Sequence, residues 1–98
     1  MTAIQLHTAR YHGLGLTDLQ VLLLLAEQGP QDLTALAVET GLSNPAITGT
    51  SQKLVGKFLV QRLRDHWTDG RLTVIELTEL GRVRLHQITG KFPEPVSA

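Results

Sequence analysis

The sequence predicts one α+β domain, mostly α-helical, with three helices, a two-stranded β-hairpin and a C-terminal helix. Three observations indicate this class. The 98 residues are enough for one hydrophobic core and too few for two. A hydrophobic fraction of 42% and a charged fraction of 18% are typical of a folded chain. Apolar residues recur at helical spacing in the first half, and short segments rich in Val, Ile, Leu and Thr follow in the second.

The first long helix is predicted to begin at Thr17. A threonine N-cap followed three residues later by Gln20 is the pattern of a capping box. Leucines, valine and alanine then recur at helical spacing and give an apolar face wide enough to be buried on more than one side. Gly29 and Pro30 end the helix, because proline cannot continue it.

Two shorter helices follow in the predicted order. Asp32 is the N-cap of the second helix, which ends at Gly41. The third begins at Ser43 or Asn44 and extends to about Lys57. It carries a proline in its first turn, where the missing N–H costs nothing.

A β-hairpin and a last helix complete the predicted domain. The segments 58–64 and 72–77 flank Asp69-Gly70, a dipeptide typical of hairpin turns. Thr78 is the predicted N-cap of the last helix, which extends to about Thr89. Its clearest apolar positions are Leu85 and Ile88.

The predicted domain occupies residues 17–89. Residues 1–16 form an N-terminal segment, in which a short helix over residues 2–12 is predicted with Ile4, Ala9 and Tyr11 facing inward. Residues 90–98 begin with glycine, contain two prolines and are expected to form a flexible tail.

Ala37, Gly41 and Ile47 have the spacing of a helix-turn-helix. A small side chain at position 37 lets the second helix of the pair approach, and glycine takes the tight turn at position 41. Ile47 then anchors the second helix on the first, and the outward side chains of the second helix can enter a DNA groove. An α-helical hairpin with a packing role alone has the same spacing. With the hairpin and the last helix, the predicted order is that of a winged helix-turn-helix.

The charges are unevenly distributed, although nine Lys+Arg and nine Asp+Glu give a net charge of zero. Residues 17–42 contain four acidic residues and no Lys or Arg. Residues 43–71 contain five basic and two acidic residues, which gives +3. The second segment can therefore face an anion, and scattered surface charge is the alternative interpretation.

The composition argues against several classes of protein. The absence of cysteine excludes disulfides, cysteine-ligated zinc and thiol catalysis. The four histidines have no carboxylate cluster beside them, and no Gly-rich phosphate loop follows a strand, so we expect no enzyme activity, metal site or cofactor. The apolar runs are too short to span a bilayer, and the N-terminus lacks the features of a signal peptide. A cytoplasmic protein without membrane contacts is expected.

The chain from Leu16 to Ile88, about three quarters of the sequence, resembles the MarR family of winged-helix transcription regulators. The matching pieces are LTDLQVLLLLAEQGP, LTALAVETGLSNPAIT, LVGKFLVQR and DGRLTVIELTELGR. The resemblance implies a homodimer that binds double-stranded DNA sequence-specifically and regulates transcription. It places the third helix in the major groove and Arg71 of the wing in the minor groove, with Asp69 bracing Arg71. A narrow minor groove concentrates negative potential and attracts an inserted arginine.

The resemblance also implies which residues contact DNA. Outward side chains of the third helix are expected to meet bases and phosphates, with Lys53 nearer the backbone. Arg62 and Arg64, on the strand that enters the wing, are expected to meet phosphates, and a solvated strand face is the alternative. The expected DNA-binding residues are Ser43, Asn44, Ala46, Thr48, Gly49, Ser51, Gln52, Lys53, Arg62, Arg64, Asp69 and Arg71.

The sequence departs from the family pattern at several positions. Gly49 stands where the family usually carries arginine, and Phe58 stands where a glycine normally ends the third helix. Thr50 and Ser51 replace apolar residues. Few residues flank the matching region, whereas family members use long terminal helices to form the dimer and a ligand pocket. A small-molecule effector is therefore not expected.

Two other functions are compatible with the same fold. A winged-helix module that docks on another protein is favoured by the zero net charge, the acidic segment 17–42 and the missing arginine at position 49. A plasmid or phage protein that organises DNA or acts in replication would use the same surface as a regulator. The first would bind no DNA, and the second would coat repeated sites.

Overall fold

The computed structural model describes residues 2–63 and 73–90. Within these ranges the chain forms five α-helices and one three-stranded antiparallel sheet with strand order β1-β3-β2. The elements are α1 (Ala3–Tyr11), α2 (Leu16–Gln28), β1 (Gln31–Asp32), α3 (Leu33–Thr40), α4 (Asn44–Gly56), β2 (Val60–Leu63), β3 (Val74–Leu77) and α5 (Glu79–Thr89). The predicted Asp69-Gly70 turn and residues 91–98 of the predicted tail lie outside the described residues.

Three of the predicted helix N-caps are confirmed. The side-chain oxygens of Asp32, Ser43 and Thr78 each accept a hydrogen bond from the backbone N–H three residues later, at 2.8, 3.2 and 2.9 Å. Each bond satisfies one of the N–H groups that a helix leaves free at its start. α3 ends as predicted at Gly41, whose φ of 73° lies in the left-handed region.

The predicted N-cap of α2, Thr17, is wrong by two residues. The helix begins at Leu16 with Gly15 as its N-cap, and Thr17 lies within the first turn. The Asp18 carboxylate, at the third helical position, accepts a hydrogen bond from the Gly15 N–H at 2.8 Å. This contact stabilises the helix start from inside the first turn, and a carboxylate there also interacts favourably with the helix dipole. The preference of threonine for N-caps therefore did not decide the boundary.

α1 packs against α2 and α5. Its predicted inward residue Ala9 is fully buried, but Ile4 and Tyr11 are 79% and 84% exposed, so that part of the prediction is wrong. Ile4 and Tyr11 are seven residues apart and share one face of the helix, which lies away from Ala9. The side chain of Gln5 donates a hydrogen bond to the Thr89 carbonyl at 3.3 Å and joins α1 to the end of α5.

The sheet contains one strand that the sequence did not predict. β1 is two residues long and pairs with β3, with Asp32 opposite Val74. β2 and β3 pair in antiparallel register from Val60 opposite Leu77 to Leu63 opposite Val74. Both strands lie inside the predicted segments 58–64 and 72–77. β1 was not predicted because two residues are too few to produce an alternating pattern.

One hydrophobic core holds the helices and the sheet together. Ile47 and Leu54 of α4 are buried as predicted, and so are Leu85 and Ile88 of α5. The core is completed by fully buried side chains from α2, α3 and the sheet region, which are Leu19, Leu22, Leu25, Leu36, Leu59 and Ile75.

The connection from α4 to β2 has an aromatic residue in an unfavourable backbone conformation. Phe58 has a φ of 62°, and it is the one non-glycine residue with positive φ in the described part of the chain. Its N–H donates to the Val55 carbonyl at 2.9 Å, and the next N–H, of Leu59, donates to the Leu54 carbonyl at 3.0 Å. These two bonds are those of a Schellman motif, in which glycine usually takes the left-handed position.

Candidate nucleic-acid interface

α3 and α4 form the predicted helix-turn-helix pair. The Gly41 N–H donates to the Ala37 carbonyl at 2.9 Å and closes α3 in a left-handed turn. Ala37 and Ile47 are both buried between the helices and the rest of the core. α4 therefore packs on α3 along one face and presents its other face outward.

The outward face of α4 and its N-cap is polar and built from small side chains. Asn44, Thr48 and Gln52 follow one another at intervals of four residues and thus lie along one stripe. The Ser43 hydroxyl is used to cap the helix, because it accepts the Ala46 N–H. The exposed residues of the expected set on this face are Ser43, Asn44, Ala46, Thr48, Gly49 and Gln52.

The prediction that Ser51 points outward is wrong. Ser51 is 2% exposed, and its hydroxyl donates a hydrogen bond to the Thr48 carbonyl at 2.9 Å. The reason is its spacing, because Ser51 lies four residues after Ile47 and three before Leu54, on the inward stripe of α4. The bond within the helix satisfies the buried hydroxyl. The same spacing, read from the sequence alone, would have predicted that Ser51 faces inward.

Lys53 is paired with a buried carboxylate. Its Nζ lies 2.6 Å from Oδ2 of Asp18, on α2, and the same oxygen accepts the Gly15 N–H. The Lys53 side chain is 44% exposed and the Asp18 side chain 6%. The sequence does not indicate Asp18 as part of the site, because Asp18 and Lys53 are 35 positions apart and no local pattern relates them. Lys53 is therefore directed toward the start of α2.

The strand that enters the predicted wing carries an exposed arginine. Arg62 lies on β2, and its Cα is opposite that of Ile75 in β3. Beside it, the Gln61 amide donates to the Glu76 carboxylate at 2.6 Å across the strands. The remaining expected wing residues lie outside the described residues, and these are Arg64, Asp69 and Arg71.

A shallow groove of about 430 Å³ runs along the outer side of the helix-turn-helix. It lies between α3 and the first turn of α4, next to Ser43 and Asn44. Val38 of α3 lines it and is exposed, although sequence analysis did not include it among the site residues. Val38 directly follows the buried residues Leu36 and Ala37, and this position in the helix would have indicated that its side chain faces outward.

The described ranges contain no group of three or more His, Cys, Asp and Glu side chains arranged to hold a metal ion. No helix within residues 2–63 and 73–90 combines the length and the apolar character needed to cross a membrane.

Comparisons with known proteins identify relatives of the fold. The chain matches the MarR family over residues 14–73. YusO of Bacillus subtilis has a TM-score of 0.81 and 22% identity, over 89% of this chain and 61% of that chain. RV1404 of Mycobacterium tuberculosis has a TM-score of 0.79 and 31% identity, over 90% and 60%. NadR, solved in complex with 4-hydroxyphenylacetate, has a TM-score of 0.76 and 27% identity, over 84% and 57%.

No curated protein matches the sequence. The chain spans less than two thirds of the length of these solved relatives. The likeness to YusO, at 22% identity, establishes the fold alone. The family match covers more than half of the chain and includes both helices of the helix-turn-helix. The chain therefore belongs to the MarR family.

Proposed function

We propose that this chain binds duplex DNA sequence-specifically, as a homodimer, and regulates transcription from the site that it binds. The observation that carries the proposal is the exposed polar face of α4, which packing against α3 directs outward. An α-helix with its side chains is about 10–12 Å wide, and the major groove of B-DNA is about 12 Å wide. α4 fits that groove as a recognition helix.

Base recognition is assigned to the stripe of α4 formed by Asn44, Thr48 and Gln52. Asparagine and glutamine amides pair with two groups on an adenine edge, and a threonine hydroxyl both donates and accepts. Gly49 lies beside this stripe, and no atom lies within 4 Å of the Cβ that would be added there. The absence of a side chain at this position allows the backbone of α4 to approach the bases closely.

Phosphate contacts are assigned to the ends of this surface. In the first turn of α4, Pro45 has no N–H and Ser43 caps that of Ala46, which leaves the Asn44 N–H for a phosphate. Arg62 is exposed on β2 and extends the surface toward the wing. Arg64 is proposed as a further phosphate contact, and Arg71, braced by Asp69, as the minor-groove residue.

A second copy of the chain is part of the proposal because one module contacts little DNA. A single small DNA-binding module buries roughly 600–1,000 Å², which is at the low end for specific binding. Two copies related by a two-fold axis double this area on a palindromic site. The exposed Ile4 and Tyr11 on one face of α1 provide apolar surface for the contact between the copies.

A protein-docking module is the second candidate function. The observation that favours it is the absence of charge on the outward face of α4, where Lys53, the one charged residue within the helix, is paired with Asp18. The exposed Val38 beside the groove of the helix-turn-helix adds apolar surface. A docking module would bind no duplex.

The dependence of binding on salt separates the two candidates. A duplex is first enriched by the chain from a random-sequence pool, and its affinity is then measured by fluorescence anisotropy over a series of salt concentrations. For DNA binding we expect the logarithm of the affinity to fall linearly with the logarithm of the salt concentration, by about 0.9 for each phosphate neutralised. Failure to enrich any duplex, or an affinity independent of salt, would contradict the proposal.

Substitutions then assign roles within the surface. We expect Gln52→Ala to weaken binding to the enriched duplex and not to a random one, because it removes a base contact. Arg62→Ala and Arg71→Ala should weaken binding to both duplexes and lower the salt slope by about 1 each. Arg84→Ala, on α5, is the matched control and should change neither quantity.

A further inference from the structure

An ion pair joins the C-terminal half of α4 to the first turn of α2, and a second lysine lies close to the turn before α2. Lys53 pairs with Asp18 at 2.6 Å. Four residues later in the sequence, Lys57 lies close to Gly13. A Cβ added to Gly13 would be 2.9 Å from the Nζ of Lys57. Lys57 is the C-cap residue that follows α4, so Lys53 is the charged residue within the helix that makes the contact with Asp18.

The Asp18 carboxylate is itself fixed in place. It accepts the Gly15 N–H at 2.8 Å and lies at the N-terminus of α2, where the helix dipole favours a negative charge. Burial of a carboxylate is costly unless it is paired and hydrogen-bonded, and Asp18 has both kinds of partner.

The turn that precedes Asp18 is also fixed. The Leu14 side chain is buried, and its N–H donates to the Ala9 carbonyl at 2.9 Å. The N–H of Gly13 donates to the Arg10 carbonyl at 2.9 Å, which completes a Schellman motif at the end of α1. Asp18 is therefore attached to a rigid part of the core.

α4 has few large inward side chains to fix its orientation. Ile47 and Leu54 are its two fully buried apolar residues, and Ser51 lies between them on the same stripe. A small serine at this point fills less space than an apolar residue would, so packing alone constrains the helix weakly there. The Asp18–Lys53 pair lies beside this region, because Lys53 immediately precedes Leu54.

We infer that Asp18 is a positioning residue for DNA binding, which sets the orientation of α4 through its pair with Lys53. This inference rests on the proposed function. It assigns Lys53 a supporting role inside the protein and removes it from the set of phosphate contacts. Asp18 acts through Lys53 and does not meet the duplex.

Lys53 as a phosphate contact is the competing assignment. An ammonium group has three donors, so pairing with Asp18 leaves some of them available. The two assignments differ in their salt dependence. Loss of a phosphate contact lowers the salt slope by about 0.9, whereas loss of a positioning residue lowers the affinity and leaves the slope unchanged.

The test uses Asp18→Asn, Lys53→Met and the double variant of the full chain. Asparagine keeps an acceptor for the Gly15 N–H, and methionine keeps most of the lysine stem. Lys53→Arg retains the charge, and Glu27→Gln removes an exposed carboxylate from the same helix as Asp18. Anisotropy with the enriched duplex over a salt series is combined with hydrogen exchange of the α4 amides without DNA.

We expect each single variant to lose roughly three- to tenfold in affinity with an unchanged salt slope, as typical coupling energies of contacting residues imply. The double variant should bind no more weakly than either single one. Exchange should be faster in the C-terminal half of α4 in all three variants. Lys53→Arg, which can still pair with Asp18, should retain more affinity than Lys53→Met, and Glu27→Gln should behave as the wild type.

Three results would overturn the inference. A lower salt slope in Lys53→Met, with Asp18→Asn unaffected, would make Lys53 a phosphate contact. Variants that bind and exchange like the wild type would reject the positioning role and leave the proposed function intact. A wild-type chain that binds no duplex would reject the proposed function, and the positioning role in DNA binding with it.

Discussion

The α-carbon of Gly81 in α5 lies directly against the backbone carbonyl of Leu59, and no Cβ fits between them. The same carbonyl accepts the Thr78 N–H at 3.1 Å. The Thr78 hydroxyl donates in turn to the Phe58 carbonyl at 2.6 Å. The start of α5 is thereby fixed to the segment that connects α4 to β2.

Gly81→Ala should destabilise the fold strongly. The added methyl group would overlap the Leu59 carbonyl oxygen, so backbone must move, and we expect a loss of about 3 kcal/mol in the free energy of unfolding. Urea denaturation measures the change. Gly49→Ala is the matched control, because position 49 is helical with open space around it. There alanine should stabilise by about 1 kcal/mol. Similar changes in the free energy of unfolding for the two substitutions would contradict the close contact between Gly81 and the Leu59 carbonyl.

Phe58→Gly should stabilise the fold. Phe58 has a φ of 62° and an exposed side chain, so glycine relieves the backbone conflict and loses little packing. Left-handed backbone costs about 1–2 kcal/mol for a residue with a Cβ, and the greater freedom of glycine in the unfolded chain offsets part of this gain. We expect a net increase of about 0.5–1 kcal/mol by urea denaturation. Phe58→Ala retains the Cβ and should give no such increase; an equal gain there would contradict the explanation.

Substitution of the exposed face of α1 should affect assembly and leave the fold intact. We expect Ile4→Glu and Tyr11→Glu to convert a dimer to a monomer, because each places a charge on the apolar surface assigned to the second copy. Size-exclusion chromatography with light scattering measures the mass. Val38→Glu changes an equally exposed apolar residue on α3 and should leave the mass unchanged. A wild-type monomer, or variants that remain dimeric, would exclude this face as the interface.

Local patterns predicted most of the secondary structure, because helix caps depend on contacts three residues apart. Asp32, Ser43 and Thr78 were recognised as caps for this reason, and their hydrogen bonds are present. The start of α2 was missed because Asp18 stabilises it from within the first turn. β1 was missed because its pairing with β3 spans more than 40 residues of sequence.

The candidate site was predictable to the extent that helical spacing decides which side chains face outward. The family resemblance assigned Asn44, Thr48 and Gln52 to the outward face, and their spacing of four residues agrees with the structure, where they are exposed. Applied to Ser51, the same rule would have placed it inward with Ile47 and Leu54. The partner of Lys53 had no such pattern, because the contact with Asp18 depends on how α2 and α4 pack in three dimensions.

Asp32 takes part in two elements at once, since its main chain pairs with Val74 in the sheet and its carboxylate caps α3. The next N–H, of Leu33, donates to the Thr73 carbonyl at 3.0 Å. A shift of β3 would therefore shift the first turn of α3 with it. The end of β3 and the first turn of α3 are thus coupled through Asp32 and Leu33, and in the proposed complex a duplex would meet the two elements as one contour.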